Sequence, residues 1–235
     1  MTAGHVAGAA PEPTNALRVR AYALFFSAAF VSNTGAWISN ISVPFVVFAI
    51  TGSAWWVGLV TVATFVPSVC ASPIGGILAD RFDRRRILLA TQTCQALAAL
   101  SLWAVWVAGV RDPLILMIPV AVAGAAHGLN IPSWQAFVHD LVPRSALRSA
   151  VALSSLQLNL ARALGPVLAG VLLAGLGPAM AFLINAASFL VVITVLLIVR
   201  ARHPFVPHAP SGTSPLRELW DAGVVMVHHR GISLL

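Results

Sequence analysis

The chain has 235 residues, of which 59% are hydrophobic and only 9% are charged, and its mean hydropathy is +0.89. Soluble domains carry about 25% charged residues, so this composition excludes a soluble globule and indicates a protein that lies in lipid. The formal net charge is +7, but the fourteen basic residues are all arginines in short gaps between apolar runs, which favours membrane topology over nucleic-acid binding.

Three regions follow one another along the chain. Residues 1–18 are rich in Ala, Pro and Gly, and we expect a disordered cytoplasmic tail there. Residues 19–200 contain six apolar stretches, each longer than the roughly 20 residues that cross a bilayer. Because backbone groups in lipid must be hydrogen-bonded within their own segment, each stretch is predicted to be a helix. The fold class is therefore an all-α membrane protein with a six-helix bundle, whose predicted spans are 22–50, 55–79, 87–109, 113–138, 149–175 and 178–199.

The arginines predict the orientation of this bundle. If the amino terminus is cytoplasmic, twelve of the fourteen arginines lie on the inner side, Arg111 lies outside and Arg162 lies within the fifth span. Inner loops of membrane proteins carry the excess of basic residues. The sequence therefore predicts that both the amino and the carboxyl end of the bundle are cytoplasmic.

Residues 201–235 differ in composition from the spans. Residues 203–215 form a Pro- and Ser-rich linker, and residues 216–230 could form an amphipathic helix on the inner membrane face. Another apolar segment begins just before Leu235. We therefore expect a central cytoplasmic linker that is cut short before a seventh helix.

The two cysteines, Cys70 and Cys94, both stand inside apolar runs. We predict that they are small buried residues with no disulfide and no metal role. No metal site and no cofactor is predicted for the chain.

The connection between the second and third spans carries the sharpest local pattern, which runs from Gly75 to Arg86 as GGILADRFDRRR. Glycine lets a neighbouring helix approach closely, and Asp80 can accept charge-assisted hydrogen bonds that hold one conformation and release another. Arginine clusters alone are also ordinary topology signals. The candidate gating residues are Gly76, Asp80, Arg81, Arg84 and Arg85.

This connection resembles the loop motif of the major facilitator superfamily, G-x-L-A-D-R-x-G-R-R/K, and departs from it at Asp83, where most members have glycine. Residues 32–37, 51–53 and 185–189 are similar to the enterobactin-exporter and macrolide-efflux branch of that superfamily. The resemblance implies the amino-terminal half of a twelve-helix transporter. It also implies that the acid and the arginines of the loop gate the cytoplasmic side.

The fifth span contains Gly165, Pro166 and Gly170. Proline permits a kink and glycines permit close packing, although both residues are common in membrane helices. The segment resembles the antiporter motif G-x-x-x-G-P-x-x-G-G, with Ala161 and Ala169 at two glycine positions, and this resemblance favours export. The second and fifth spans are the most Pro- and Gly-interrupted, which two inverted three-helix repeats would predict.

Polar residues within the spans are candidates for a substrate cavity or for ion coupling. Asn33 and Asn40 are seven residues apart and share a helix face with Trp37. His127 lies in the middle of the fourth span, where it is either a packed, hydrogen-bonded residue or a cavity residue. Arg162 faces a cavity or a partner, or it is a structural residue that snorkels or pairs with Asn159 or Asp140. No Asp or Glu occurs at the centre of any span, so proton coupling through a buried carboxylate would need a residue from elsewhere.

Other classes fit the sequence less well. A six-span serine protease needs a Gly-x-Ser-Gly site and a metalloprotease needs His-Glu-x-x-His, and the chain has neither. The permease domain of an ATP-driven exporter would have long cytoplasmic helical extensions. The resemblance implies secondary active efflux of a drug-like or siderophore-like small molecule across the plasma membrane. The alternatives are the permease domain of an ATP-driven exporter and an inactive truncated half-transporter. The partners of the efflux protein would be this substrate, the bilayer and a missing carboxyl-terminal six-helix half or a second copy, with no nucleic acid.

Overall fold

The computed structural model describes residues 15–199, and within this range all regular structure is helical. Two short 3-10 turns, Ala16–Arg18 and Arg144–Ala146, precede the first and the fifth helix. Six helices are long and apolar enough to cross a membrane, which confirms the predicted six-helix class. They are α1 (Arg20–Thr51), α2 (Ala54–Arg81), α3 (Arg84–Val107), α4 (Pro113–Leu141), α5 (Leu147–Gly175) and α6 (Gly177–Ile198).

The predicted terminal regions fall almost wholly outside the described residues. Most of the 1–18 tail, the 201–235 linker and its amphipathic helix lie there. The last part of the tail, residues 15–18, is described and begins the fold. The backbone N–H of Ala16 donates to the Ser149 hydroxyl over 3.2 Å, so this segment is attached to the start of α5.

Turn and capping residues set the ends and starts of the helices, which lie close to the predicted positions. Gly52 takes the left-handed conformation, with φ of 64°, and its N–H donates to the Phe48 carbonyl over 2.8 Å. That conformation is free for glycine and ends α1. At the start of α4, the Asp112 carboxylate accepts from the Leu114 N–H over 2.9 Å, with Pro113 as the first helical residue.

The packing of the six helices repeats itself. α1 packs between α5 and α6, α4 packs between α2 and α3, and α3 contacts α6. Exchanging α1, α2 and α3 for α4, α5 and α6 leaves this pattern of neighbours unchanged. This is the arrangement that the two predicted inverted repeats require.

The two interrupted helices occupy equivalent peripheral positions. In their most apolar stretches, only 11% of α2 and 17% of α5 is buried, against 33% to 44% in the other four helices. Both pack through small residues. A Cβ at Gly128 of α4 would collide with the backbone of Ser68 in α2, and a Cβ at Gly165 of α5 would collide with Trp37 in α1. These glycines therefore allow the helix pairs to approach at backbone distance.

Burial of the two cysteines differs from the prediction. Cys70 is exposed on α2 and Cys94 is half-buried on α3, so the prediction that both are buried was wrong. A membrane helix is apolar on its lipid-facing side as well as on its packed side. An apolar run therefore does not show which of its residues are buried in protein.

Candidate functional site

A cavity of about 450 Å³ lies among the six helices. All five residues predicted from the sequence as cavity or coupling candidates line it. They come from three helices: Asn33, Trp37 and Asn40 from α1, His127 from α4 and Arg162 from α5. The structure thus brings together residues that are up to 129 positions apart in the chain. Their roles in binding or coupling stay predictions.

The α1 side of the cavity follows from helical spacing. Asn33, Trp37 and Asn40 are separated by four and three residues and therefore lie on one face of α1. The position of Trp37 is fixed from behind, because Gly165 of α5 packs directly against its Cβ and backbone. Asn40 is exposed to the cavity, whereas Asn33 and Trp37 are half-buried. These side chains present amide and indole groups inside the bundle.

Arg162 stacks on the indole of Trp37. The central guanidinium carbon lies 5.2 Å from the ring centroid, which is within cation–π range. The two partners considered for a structural role are engaged elsewhere. The Asp140 carboxylate binds Arg84, and the Asn159 side-chain amide donates to the Ser155 carbonyl. Within residues 15–199, Arg162 forms no hydrogen bond and no ion pair with either residue, so the predicted pairing is wrong.

Further polar residues line the cavity that the sequence did not single out. Gln95 of α3 and Asn185 of α6 contribute amides, and Thr64 and Ser68 of α2 contribute hydroxyls. The Oδ1 of Asn185 is buried and has no hydrogen-bond partner within the described residues. A signal for these residues was present, since a primary amide within an apolar span is as costly in lipid as the asparagines of α1.

A buried hydrogen bond joins α3 and α4. The Asn130 amide donates to the Thr91 hydroxyl over 2.8 Å, and both side chains are buried. The Thr91 hydroxyl also lies 2.9 Å from the Ile87 carbonyl of its own helix. Interhelical bonds of this kind contribute about 0.6 kcal/mol each in membrane proteins, and they fix the rotation of one helix against its neighbour.

The arginine-rich end of the bundle, which comprises residues 81–86 and 144–148, is organised by Asp83. This residue stands where the related motif has glycine, and it caps α3. Its carboxylate accepts from the N–H groups of Arg85 at 2.8 Å and Arg86 at 3.4 Å. Because α3 begins only three residues after α2 ends, this cap stabilises the start of α3 without a glycine turn.

The predicted gating residues separate into two groups. Arg84 and Arg85 hold other helices at the arginine-rich end. Arg84 pairs with Asp140 at the end of α4 over 2.7 Å. Asp80 is exposed, and its carboxylate makes no hydrogen bond to the rest of the 15–199 segment. Arg81 is half-buried, next to Asp80 at the end of α2.

Arg85 caps the carboxyl end of α6. Its Nε donates to the Leu196 carbonyl over 2.5 Å, and an Nη donates to the Leu197 carbonyl over 2.7 Å. The last carbonyls of a helix have no partner within the helix and carry its negative dipole end. Arg85 therefore ties α3 to α6 at the arginine-rich end.

This cap gives a testable prediction. We expect Arg85→Met to lower the free energy of unfolding by about 1–2 kcal/mol, because two charge-assisted hydrogen bonds are lost. Arg86→Met is the matched control, since the neighbouring Arg86 side chain is exposed, and it should stay within about 0.5 kcal/mol of the wild type. Denaturation of the purified protein measures both, and equal losses would contradict the capping role.

The glycines of the loop motif and of the helix-five motif fall into two groups, those that pack against another helix and those that do not. Gly76 and Gly170 each have open space where a Cβ would stand, whereas Gly75 and Gly165 pack against Leu129 and Trp37. In the helix-five motif, Gly165 therefore supports helix packing within this bundle, and Pro166 follows it inside an unbroken α5. In the loop motif, the close approach to α4 occurs at Gly75, one residue before the predicted position.

Comparison with known proteins decides the family. Residues 12–210 match the family described as transmembrane secretion effector. The chain belongs to this family of the major facilitator superfamily. Membership confirms the resemblance drawn from the loop motif, and it places the chain among multi-pass membrane proteins and not among enzymes.

Named relatives fall in the predicted branch. The chain is 32% identical over 213 residues to the enterobactin exporter EntS of Citrobacter koseri, covering 86% of this chain and 48% of that protein. It is 27% identical over 198 residues to the staphyloferrin A transporter of Staphylococcus aureus, covering 84% of this chain and 50% of that protein. The chain thus spans about half the length of these curated relatives.

Proposed function

We propose that the protein is a transporter that exports a siderophore-like small molecule from the cytoplasm through the cavity between α1, α4 and α5. The observation that carries this proposal is the placement of Asn40, His127 and Arg162. These polar side chains are exposed within a bundle whose helices otherwise present apolar surface. Polar and charged groups at membrane depth line a substrate path by default. Two similar proteins are named for the transport of enterobactin and staphyloferrin A.

The described bundle forms one side of the path. His127 and Arg162 would be too costly to leave against lipid, so we infer that a second six-helix unit covers them. This unit is either a carboxyl-terminal half or a second copy of the chain. The first fits the relatives, which are about twice as long as the matched region. The substrate then lies between the two units near the middle of the membrane, and access alternates as they rock.

We assign gating of the cytoplasmic side to the arginine-rich end, with Asp80 and Arg81 as the residues that engage the second unit. Support comes from the exposure of Asp80, which contrasts with the packed positions of Arg84 and Arg85. The excess of arginines at this end supports a cytoplasmic location. Export as the direction is supported by the helix-five motif and by the named activity of the enterobactin relatives.

A secretion assay tests the proposal. The protein encoded by the natural gene is expressed in a bacterial strain that makes enterobactin and whose own exporter has been deleted. A second strain, which makes staphyloferrin A and lacks its own exporter, is tested in the same way. We expect severalfold more siderophore in the medium and less in the cells. Asp80→Asn should lower export by about tenfold at equal protein level, because one charge-assisted gate contact of about 1.4 kcal/mol is lost.

The controls separate direction from substrate. Arg86→Met changes an exposed arginine that is not one of the two residues proposed to engage the second unit, and it should export as the wild type does. If strains with correctly inserted protein secrete no more of either siderophore than the same strains without it, the proposed substrate class is refuted. Accumulation of externally supplied siderophore in the cells would refute the direction.

A further inference from the structure

Arg162 stands deep in the bundle. It lies fifteen residues after Leu147, where α5 begins, which places it about 22 Å along the helix at 1.5 Å per residue. The helix has 29 residues, so this position is close to its midpoint. The guanidinium is exposed to the cavity and is held on one side by the Trp37 ring. Within residues 15–199 it forms no hydrogen bond and no ion pair, so its five donors are available on the remaining sides.

Carboxylates are absent from the cavity lining formed by the described residues. The four aspartates of that part of the chain are all at or next to helix ends: Asp80, Asp83, Asp112 and Asp140. The ionisable side chains that line the cavity are Arg162 from α5 and His127 from α4. The cavity therefore attracts negative charge and repels cations, since charge in a low-dielectric site is only weakly screened.

From these positions we propose that the cavity binds an organic anion, whose carboxylate or other oxyanion is held by Arg162 on the Trp37 ring. This inference rests on the proposed function, because it names the chemical class of the transported molecule. Arginine suits this task since its planar fork can donate two parallel hydrogen bonds to one oxyanion. Trp37 restricts the guanidinium before the ligand arrives, so less entropy is lost on binding.

Two fluorescent probes that differ in charge but hardly in size test the proposal. Dansylglycine carries a carboxylate, and dansylglycinamide carries a neutral amide in its place. Each is titrated onto the purified product of the natural reading frame, and the dansyl emission reports transfer into the cavity. We expect dansylglycine to bind about 10- to 100-fold more tightly, as charge-assisted hydrogen bonds contribute about 1.5–3 kcal/mol.

Variants assign this preference to Arg162. Arg162→Gln should remove the preference for dansylglycine while dansylglycinamide still binds, which also shows that the variant is folded. Arg162→Lys keeps the charge and should keep part of the preference. Arg111→Gln is the matched control, because Arg111, in the connection between α3 and α4, stacks on Trp106 and does not line the cavity. This variant should bind both probes as the wild type does.

Other outcomes overturn the inference. Equal affinity of the wild type for both probes would show that a carboxylate elsewhere in the protein neutralises Arg162, and absence of binding by either probe would show that the cavity does not accept small organic anions. In both cases the secretion assay still decides the proposed function. Conversely, charge-selective binding that depends on Arg162, together with unchanged siderophore secretion, would refute the proposed substrate and leave the anion site in place.

Discussion

Gly128→Leu is expected to lower the free energy of unfolding by about 3 kcal/mol, at the upper end of the range for overpacked interiors. A Cβ at this position would meet the backbone carbonyl group and Cα of Ser68. Backbone atoms of a neighbouring helix cannot rotate away as a side chain can. α2 and α4 must therefore separate along their contact, or the variant must unfold. The loss is measured by denaturation of the purified protein, and by the fraction that stays monodisperse in detergent.

Gly170→Leu is the matched control for this prediction. Gly170 is also a glycine inside a transmembrane helix, but no atom of a neighbouring helix lies within 4 Å of a Cβ built there. Both substitutions change helix propensity and hydrophobicity by the same amount, so their difference reports the helix contact alone. We expect Gly170→Leu to remain within about 0.5–1 kcal/mol of the wild type. Equal destabilisation by the two variants would show that α2 and α4 do not meet at Gly128.

Asp140→Ala is expected to destabilise the bundle by about 2 kcal/mol. Arg84 and Asp140 join over 2.7 Å and are 25% and 18% exposed. Exposed pairs contribute about 0–1 kcal/mol, and breaking a fully buried pair costs about 3–5 kcal/mol, so this half-buried pair lies between the two. The covalent connection between α3 and α4 is at the opposite end of the bundle. The ion pair therefore holds together the ends that the chain leaves separate.

A double-mutant cycle isolates the pair from the other contacts of each residue. We expect Arg84→Ala with Asp140→Ala to cost about 1–2 kcal/mol less than the sum of the two single variants. Asp80→Ala is the control, because this exposed carboxylate has no partner within residues 15–199, and its effect should be additive with that of Arg84→Ala. Strict additivity for Arg84 and Asp140 would contradict a stabilising pair. Chemical denaturation at low and moderate salt provides the measurement.

Hydropathy and helical spacing were enough to predict the six spans. An apolar stretch of this length has only one way to satisfy its backbone in lipid, so α1 to α6 could be located to within a few residues from the sequence. The spacing of Asn33, Trp37 and Asn40 was equally informative, since residues three and four apart share a helix face in any fold. The loop from Gly75 to Arg86 indicated the family because several of its residues match one motif at fixed spacing, and such a local pattern can be read from the sequence.

Contacts between helices required the tertiary structure. The sequence could not show that Arg84 binds Asp140, that Arg85 caps α6, or that Arg162 stacks on Trp37, because these partners are between 56 and 125 residues apart. The burial of Cys70 was predicted wrongly for a related reason. Lipid and protein interior are both apolar, so hydropathy separates membrane from water but does not separate the lipid-facing side of a helix from its packed side.

The sequence by itself therefore determined that the chain lies in a membrane, how many times it can cross, and which polar residues are costly enough there to need a purpose. The tertiary structure alone decided that these residues share one cavity and that Gly75, not Gly76, is the loop-motif glycine that packs against α4. The physical reason is that crossing lipid depends on local backbone and side-chain chemistry. Which helices become neighbours depends on how the small residues of six similarly apolar helices pack against one another.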